Sequence, residues 1–168
     1  GFDPANVFTL QFRLPQTKYT KPEDIAQFFK NAIERVRAVP GVQSAALVRA
    51  VPFSGNGGNT GYAIEGRPEP DPASLPQARF HLITPDYFKT MRIPLRQGRL
   101  FDAGDRRATS IAAVVSETFS KRFYPGENVL GKQVAIAGDS HWKEIVGVVG
   151  DTRHGGLSGV GSPEIYWP

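Results

Sequence analysis

The 168-residue sequence predicts an α+β fold, a β-α-β lobe followed by a mixed, mainly β lobe with short helices. Three observations lead there. One strongly periodic helix lies near the N-terminus between two strand-like stretches. Short β-branched runs recur later in the chain, set off by turn residues. Eighteen glycines and fourteen prolines require many turns and short elements, unlike a helical bundle. A hydrophobic content of 40% is enough for a core, and the length suits one domain or two small lobes.

The first lobe is expected over residues 1–51. Over residues 7–14, Phe8, Leu10, Phe12 and Leu14 alternate with Val7, Thr9, Gln11 and Arg13, which predicts a strand with one buried face. Pro15 closes it. A helix follows over residues 22–38. Thr20 or Lys21 caps it, Pro22 sits in its first turn, and Glu23 and Asp24 suit the positive end of the helix dipole. Ile25, Phe28, Phe29, Ala32, Ile33 and Val36 recur at helical spacing and form one apolar stripe. Pro40-Gly41 ends the helix, and residues 42–51 read as a second strand with a right-handed crossover.

The second lobe is expected over residues 52–168. Residues 52–61 are rich in glycine and asparagine and form a loop or hairpin tip. Residues 62–65 and 78–83 read as strands, the latter containing His81, with a proline-rich loop between them. Thr84 caps a short helix with Pro85 at its first position and Tyr87, Phe88 and Met91 facing inward. Residues 94–98 read as a short strand, and residues 100–110 are charged and loop-like. Residues 111–115 form a β-branched and small-residue run. Ser116 caps a helix over 117–123, with Phe119 and Phe123 on one face, and Pro125-Gly126 ends it. Residues 133–136 and 145–149 read as two strands, with Asp139 and Ser140 in the turn between them.

With no cysteine, the chain has neither a disulfide framework nor a thiolate metal site. The net charge of +4 comes from Lys and Arg scattered among acids, which points to a solvated surface and to no nucleic-acid partner. The same charge fits proximity to anionic lipid headgroups. No segment approaches the roughly twenty apolar residues of a membrane span, and no signal-peptide pattern opens the chain. Taken alone, the residues therefore predict a soluble chain.

Several motifs resemble chemistry without meeting its requirements. Gly126 to Lys132 has phosphate-loop spacing, but Gln133 replaces the metal-binding hydroxyl. A helix precedes this loop and a strand follows, whereas a phosphate loop follows a strand and opens a helix. In the glycine loop 55–61 the third glycine falls one residue late for a dinucleotide motif, and a strand follows. His81, His141 and His154 show no metal-ligand spacing. Asp139, Ser140 and His141 are triad residue types, but they adjoin in a turn and cannot converge. Asp102 and Asp105 lack the oxygen density of a calcium loop. Asp151, Arg153 and His154 directly follow a buried-type strand, where functional loops often sit. They support an alternative reading as a hydrolase, against a plainer role in shaping a turn. Trp142, Tyr166 and Trp167 are residues for packing or for a partner surface. No catalytic, cofactor or metal residue is assigned.

The run SETFSKRFYPGENVLGK followed by WKEIVGVVGDTRHGGL resembles the MacB-like periplasmic core domain of FtsX-like ABC transporter permeases. GFDPANV, VPGVQSAAL, TPDYFKTMRIPLRQGR and the closing PEIYWP are similar to the same family in order and spacing, so the resemblance extends over essentially the whole chain. It implies that residues 1–51 are half of a porter-like subdomain and residues 52–168 an inserted β-rich subdomain. In that family a second β-α-β unit beyond the equivalent of Pro168 completes the porter part. The resemblance further implies a non-enzymatic domain on the periplasmic face of the bacterial inner membrane, with no cofactor. It would couple ATP-driven membrane-helix motion to substrate export, efflux included, or to partner engagement. The implied partners are the rest of the permease, its ATPase subunit or domain, a periplasmic adaptor and a second copy in a homodimer. A stand-alone extracytoplasmic binding module is the alternative.

Overall fold

The computed structural model describes residues 3, 5–15, 17–52, 58–67, 71, 74–106, 111–152 and 161–168. In chain order these form α1 (Pro22–Arg37), β1 (Asn59–Ile64), β2 (Gln77–Leu82), α2 (Tyr87–Thr90) and β3 (Leu95–Gly98). A 3-10 turn (Ala103–Arg106) leads to β4 (Ala112–Ser116), α3 (Glu117–Phe123), β5 (Gln133–Ile136), β6 (Lys143–Val149) and β7 (Glu164–Trp167). The α+β class expected from the sequence is the class observed, mainly sheet with few helices.

The strands form one mixed sheet in the order β3-β6-β4-β7-β2-β1-β5. Because β5 also pairs with β6, the sheet closes on itself. β6 can take three partners because β5 meets its start, at Lys143 and Glu144, while β3 meets its end, from Gly147 to Val149. β4 and β6 run parallel, as do β2 and β7, and the other pairs are antiparallel. The ring has no need of an exposed edge along most of its length.

Strand alternation builds two cores, one on each face of the sheet. Every residue of β4 is buried, consistent with a strand covered on both faces. Ala113 and Val115 join Tyr62, Ile64, Phe119, Val134 and Ile165 in the first core. Ala112 and Val114 join Tyr87, Phe88, Met91, Phe101 and Tyr166 in the second. Ser116 caps α3 as expected, accepting from the Phe119 N–H at 3.2 Å. Its Oγ also accepts from the Glu164 N–H at 3.1 Å, so one hydroxyl starts a helix and fixes the start of β7.

The N-terminal region differs from the expected pattern. Helix α1 forms, with Lys21 at its N-cap, but none of its residues is fully buried. The stretches at 7–14 and 42–51 run without a strand ladder, and the second meets the sheet only at the bridge Val48–Ile83. The expected buried face of residues 7–14 is instead exposed, with Phe8 at 95%, Leu10 at 74% and Phe12 at 44%. Alternation specifies a face but supplies no partner edge, and a strand needs both. Phe12 packs edge-on against Phe28 of α1, which meets Tyr19 and Phe29 in the same way.

Candidate functional site

The most concentrated polar chemistry lies on the second-core side of the sheet, around Glu164. This side chain has no solvent exposure. Thr152 Oγ1 lies 2.7 and 2.6 Å from its two carboxylate oxygens. The Tyr166 hydroxyl donates to Glu164 Oε2, and His81 Nε2 lies 3.3 Å from the same oxygen. The sheet assembles this group. Glu164 and Tyr166 share a face of β7 by strand alternation, and His81 stands opposite Tyr166 in the parallel β2–β7 ladder. Their rings stack with centroids 4.9 Å apart. Burial first, and then the charge of Glu164, pushes the Tyr166 and Tyr87 hydroxyls well above their ordinary range. Both phenols therefore stay protonated.

A buried carboxylate is tolerable only when its oxygens are bonded, and Glu164 meets that condition with the Thr152 and Tyr166 hydroxyls. The same enclosure removes it from any substrate. The cluster ties β2, β7 and the residue beyond β6 together.

Asp151 is engaged as well. Its Oδ1 accepts from the Thr118 N–H at 2.7 Å and its Oδ2 from the Thr118 hydroxyl at 2.8 Å. It thus clamps the first turn of α3, a contact across the chain and not the local turn expected for it. Arg153 and His154 lie outside the described residues, and with them the remainder of the hydrolase reading.

The loop from Gly126 to Lys132 lies between α3 and β5, with a helix before and a strand after. The N–H groups of Glu127, Leu130, Gly131 and Lys132 donate to Tyr124 O, Asn128 Oδ1, Ile145 O and Val129 O. These amides are committed within the fold and do not form a phosphate cradle. Residues 55–57 of the glycine loop lie outside the described residues, and its end, from Asn59, belongs to β1.

Asp105 is paired with Arg99, whose Nη1 donates at 2.6 Å and Nη2 at 3.3 Å. The Arg99 hydrogen bond holds the Asp105 carboxyl below the usual carboxylate range. His141 is exposed, its Nδ1 2.6 Å from Asp139 Oδ1, whereas His81 is buried. Among the described residues, no group of three or more His, Cys, Asp or Glu side chains could hold a metal ion. No described helix is long and apolar enough to cross a membrane.

Sequence reasoning missed Glu164, Thr152 and the second role of Ser116. One signal was present. Glu164 is a lone acid between Pro163 and the apolar run Ile165, Tyr166, Trp167, a composition that a short buried strand explains.

The closed mixed sheet with its short helices is an α+β core domain. The model of the MacB-like periplasmic core domain matches residues 2–168, and the chain belongs to that family. The family's domain is periplasmic, as the resemblance implied. The macrolide export ATP-binding/permease protein MacB of Aggregatibacter actinomycetemcomitans is 32% identical over 95 residues, 56% of this chain and 14% of that protein. The solved periplasmic region of MacB from Actinobacillus actinomycetemcomitans has a similar fold, with a TM-score of 0.59 at 20% identity over 83% of this chain and 54% of that one. A domain of a putative permease from Porphyromonas gingivalis gives 0.55 at 20% identity, over 82% of this chain and 54% of its own. The extracellular domain of the noncanonic ABC-type transporter YknZ from Gram-positive bacteria gives 0.54 at 19%, over 83% of this chain and 61% of its own. The chain thus spans a small part of the curated relative and little more than half of each solved structure.

Proposed function

We infer that this domain is the periplasmic part of an FtsX-like ABC permease and relays ATP-driven motion of membrane helices outward, to substrate export or to engagement of a partner. The family match across residues 2–168 carries the reading. The name of the macrolide-exporting relative supports transport as the task of the whole protein. In this reading the domain is not itself an enzyme. The acids with the most structure around them, Glu164 and Asp151, are occupied in holding strands and a helix together.

The working parts are two lobes, residues 1–51 and 52–168. The first is nearest the membrane and takes up a displacement first. The partners are the remaining permease and its ATPase subunit or domain, with a second copy of the chain and a periplasmic adaptor as further partners. The test is excision of the domain from the full-length transporter reconstituted in proteoliposomes. ATP hydrolysis should remain measurable while export is lost. Export at the normal rate without the domain would refute the reading.

A further inference from the structure

The described N-terminal segment is bonded to residues 82–92, which run from the end of β2 through α2. The inner side of this stretch is rooted in the second core by Tyr87, Phe88 and Met91. Its outer side is held from separate places in the N-terminal segment. Asp3 accepts from the Arg92 guanidinium, and its N–H donates to Met91 O at 3.2 Å. Arg37, in the last turn of α1, donates to Asp86. The Ser44 and Thr90 hydroxyls are 2.7 Å apart.

Beside these side-chain contacts runs a backbone contact of a different kind. The Thr84 N–H donates to Leu47 O at 3.0 Å, and the Arg49 N–H donates to Leu82 O at 3.0 Å. The bridge Val48–Ile83 lies between them. Backbone pairing of this sort resists sliding but permits rotation about the paired stretch.

The two ion pairs are much more exposed. The Arg37 and Asp86 side chains are each 36% exposed, and those of Arg92 and Asp3 are 48% and 49% exposed. Such pairs are weak, and salt screens them. Little apolar surface reinforces them. No residue of α1 is fully buried, and Val7, Ala46 and Val48 are only partly buried against the second core.

We propose that the N-terminal segment is hinged on the sheet and held against residues 84–92 by a reversible electrostatic clasp. The pivot is the backbone pairing of residues 47–49, and the clasps are Arg37–Asp86 and Asp3–Arg92. Opening the clasps frees α1 and the N-terminal arm to swing against the sheet while the pivot stays closed. The use of this hinge in transport rests on the coupling reading above, whereas its existence rests on the contacts themselves.

The test uses the full-length protein in lipid nanodiscs. Spin labels carried by unnatural amino acids replace Lys30 on α1 and Lys132 beside β5, both exposed positions. Pulsed electron resonance reads the distance between them. Arg37→Asp should broaden the distribution at least twofold, and adding Asp86→Arg should restore its width. Asp3→Arg with and without Arg92→Asp repeats the test at the second clasp. High salt should broaden the wild-type distribution. A Ser44→Cys/Thr90→Cys disulfide should keep it narrow throughout. A width unchanged by the single reversals, or not restored by the paired ones, overturns the clasp. Export is scored separately on the crosslinked protein. Normal export with the crosslink complete and the distances behaving as expected leaves the hinge standing and removes the coupling reading.

Discussion

Thr152 and Glu164, twelve residues apart in the chain, are hydrogen-bonded in the interior, with Thr152 Oγ1 2.7 and 2.6 Å from the two carboxylate oxygens. The contact joins the residues just beyond β6 to the first residue of β7. β7 in turn is held between β4 and β2. The position of β7 therefore depends on a polar group as well as on apolar packing.

That dependence gives a graded expectation. Glu164→Ala leaves His81, Thr152 and Tyr166 polar atoms buried without the carboxylate, and should cost about 3–5 kcal/mol. Thr152→Val removes one donor and should cost about 1–3 kcal/mol. Urea unfolding of the two variants measures both. A loss below about 1 kcal/mol for Glu164→Ala would mean that the cluster does not hold β7.

The apolar residues divide in the same graded way. Phe88 has no exposure and packs between Tyr87, Phe101 and Tyr166. Phe88→Ala should cost about 3–5 kcal/mol. Phe29 lies on the α1 stripe that sequence periodicity marks equally strongly, yet it is only half-buried. Phe29→Ala should cost about 1–2 kcal/mol, in proportion to the smaller area it removes from water. Equal losses in denaturant titrations would show that α1 is covered in solution as completely as α2.

Close backbone approach makes a third prediction. A Cβ on Gly147 would lie 2.1 Å from Arg99 O, a backbone atom that cannot swing aside. Gly147 stands opposite Gly98 in the β3–β6 ladder, just beyond the register shift between Leu95 and Gln97. Gly147→Ala should cost about 1–3 kcal/mol or separate β3 from β6. Gly138 has a φ of +82° but open space around its missing Cβ, so Gly138→Ala should cost only about 1–2 kcal/mol of backbone strain. Amide exchange at Arg99, whose N–H donates to Val146 O, reports the separation directly.

Legibility in the sequence followed the range of the interactions. Helix α3 was readable to the residue because Ser116, the Phe119 and Phe123 pair, and Pro125-Gly126 act within a few positions of one another. β5 was readable for the same reason. Ring closure through β5 and β6 was not, because pairing partners are a property of the whole sheet. β7 escaped because one acid followed by three apolar residues shows no alternation to distinguish strand from loop. The stretch 7–14 shows the opposite error, since its alternation is clear while its apolar side faces solvent. Glu164 carries a charge that marks surface residues on average. Only the arrival of His81 and Thr152 from elsewhere in the chain, beside Tyr166 two residues on, makes its burial possible.

The last prediction concerns acid. Asp105 is 8% exposed and accepts from Arg99 and from the Asp102 N–H at 2.9 Å. The Arg99 hydrogen bond is the largest of the effects that hold its carboxyl below the usual range. A carboxyl with a depressed folded pKa contributes stability that is fully present above the unfolded value, about 3.9. That contribution is lost as pH falls through the lower folded value. Asp105→Asn keeps an oxygen acceptor but loses the charge, and should cost about 1–2 kcal/mol at pH 7. The gap between wild type and variant should then narrow as pH falls from about 4 to about 2. Asp139 is also held low, by the His141 N–H first, but its partner is exposed and screened. Asp139→Asn should therefore leave the acid profile close to that of wild type. Denaturant unfolding at several pH values between 2 and 7 distinguishes the two sites. A constant gap for Asp105→Asn across that range would show that the Arg99 pair adds no pH-dependent stability.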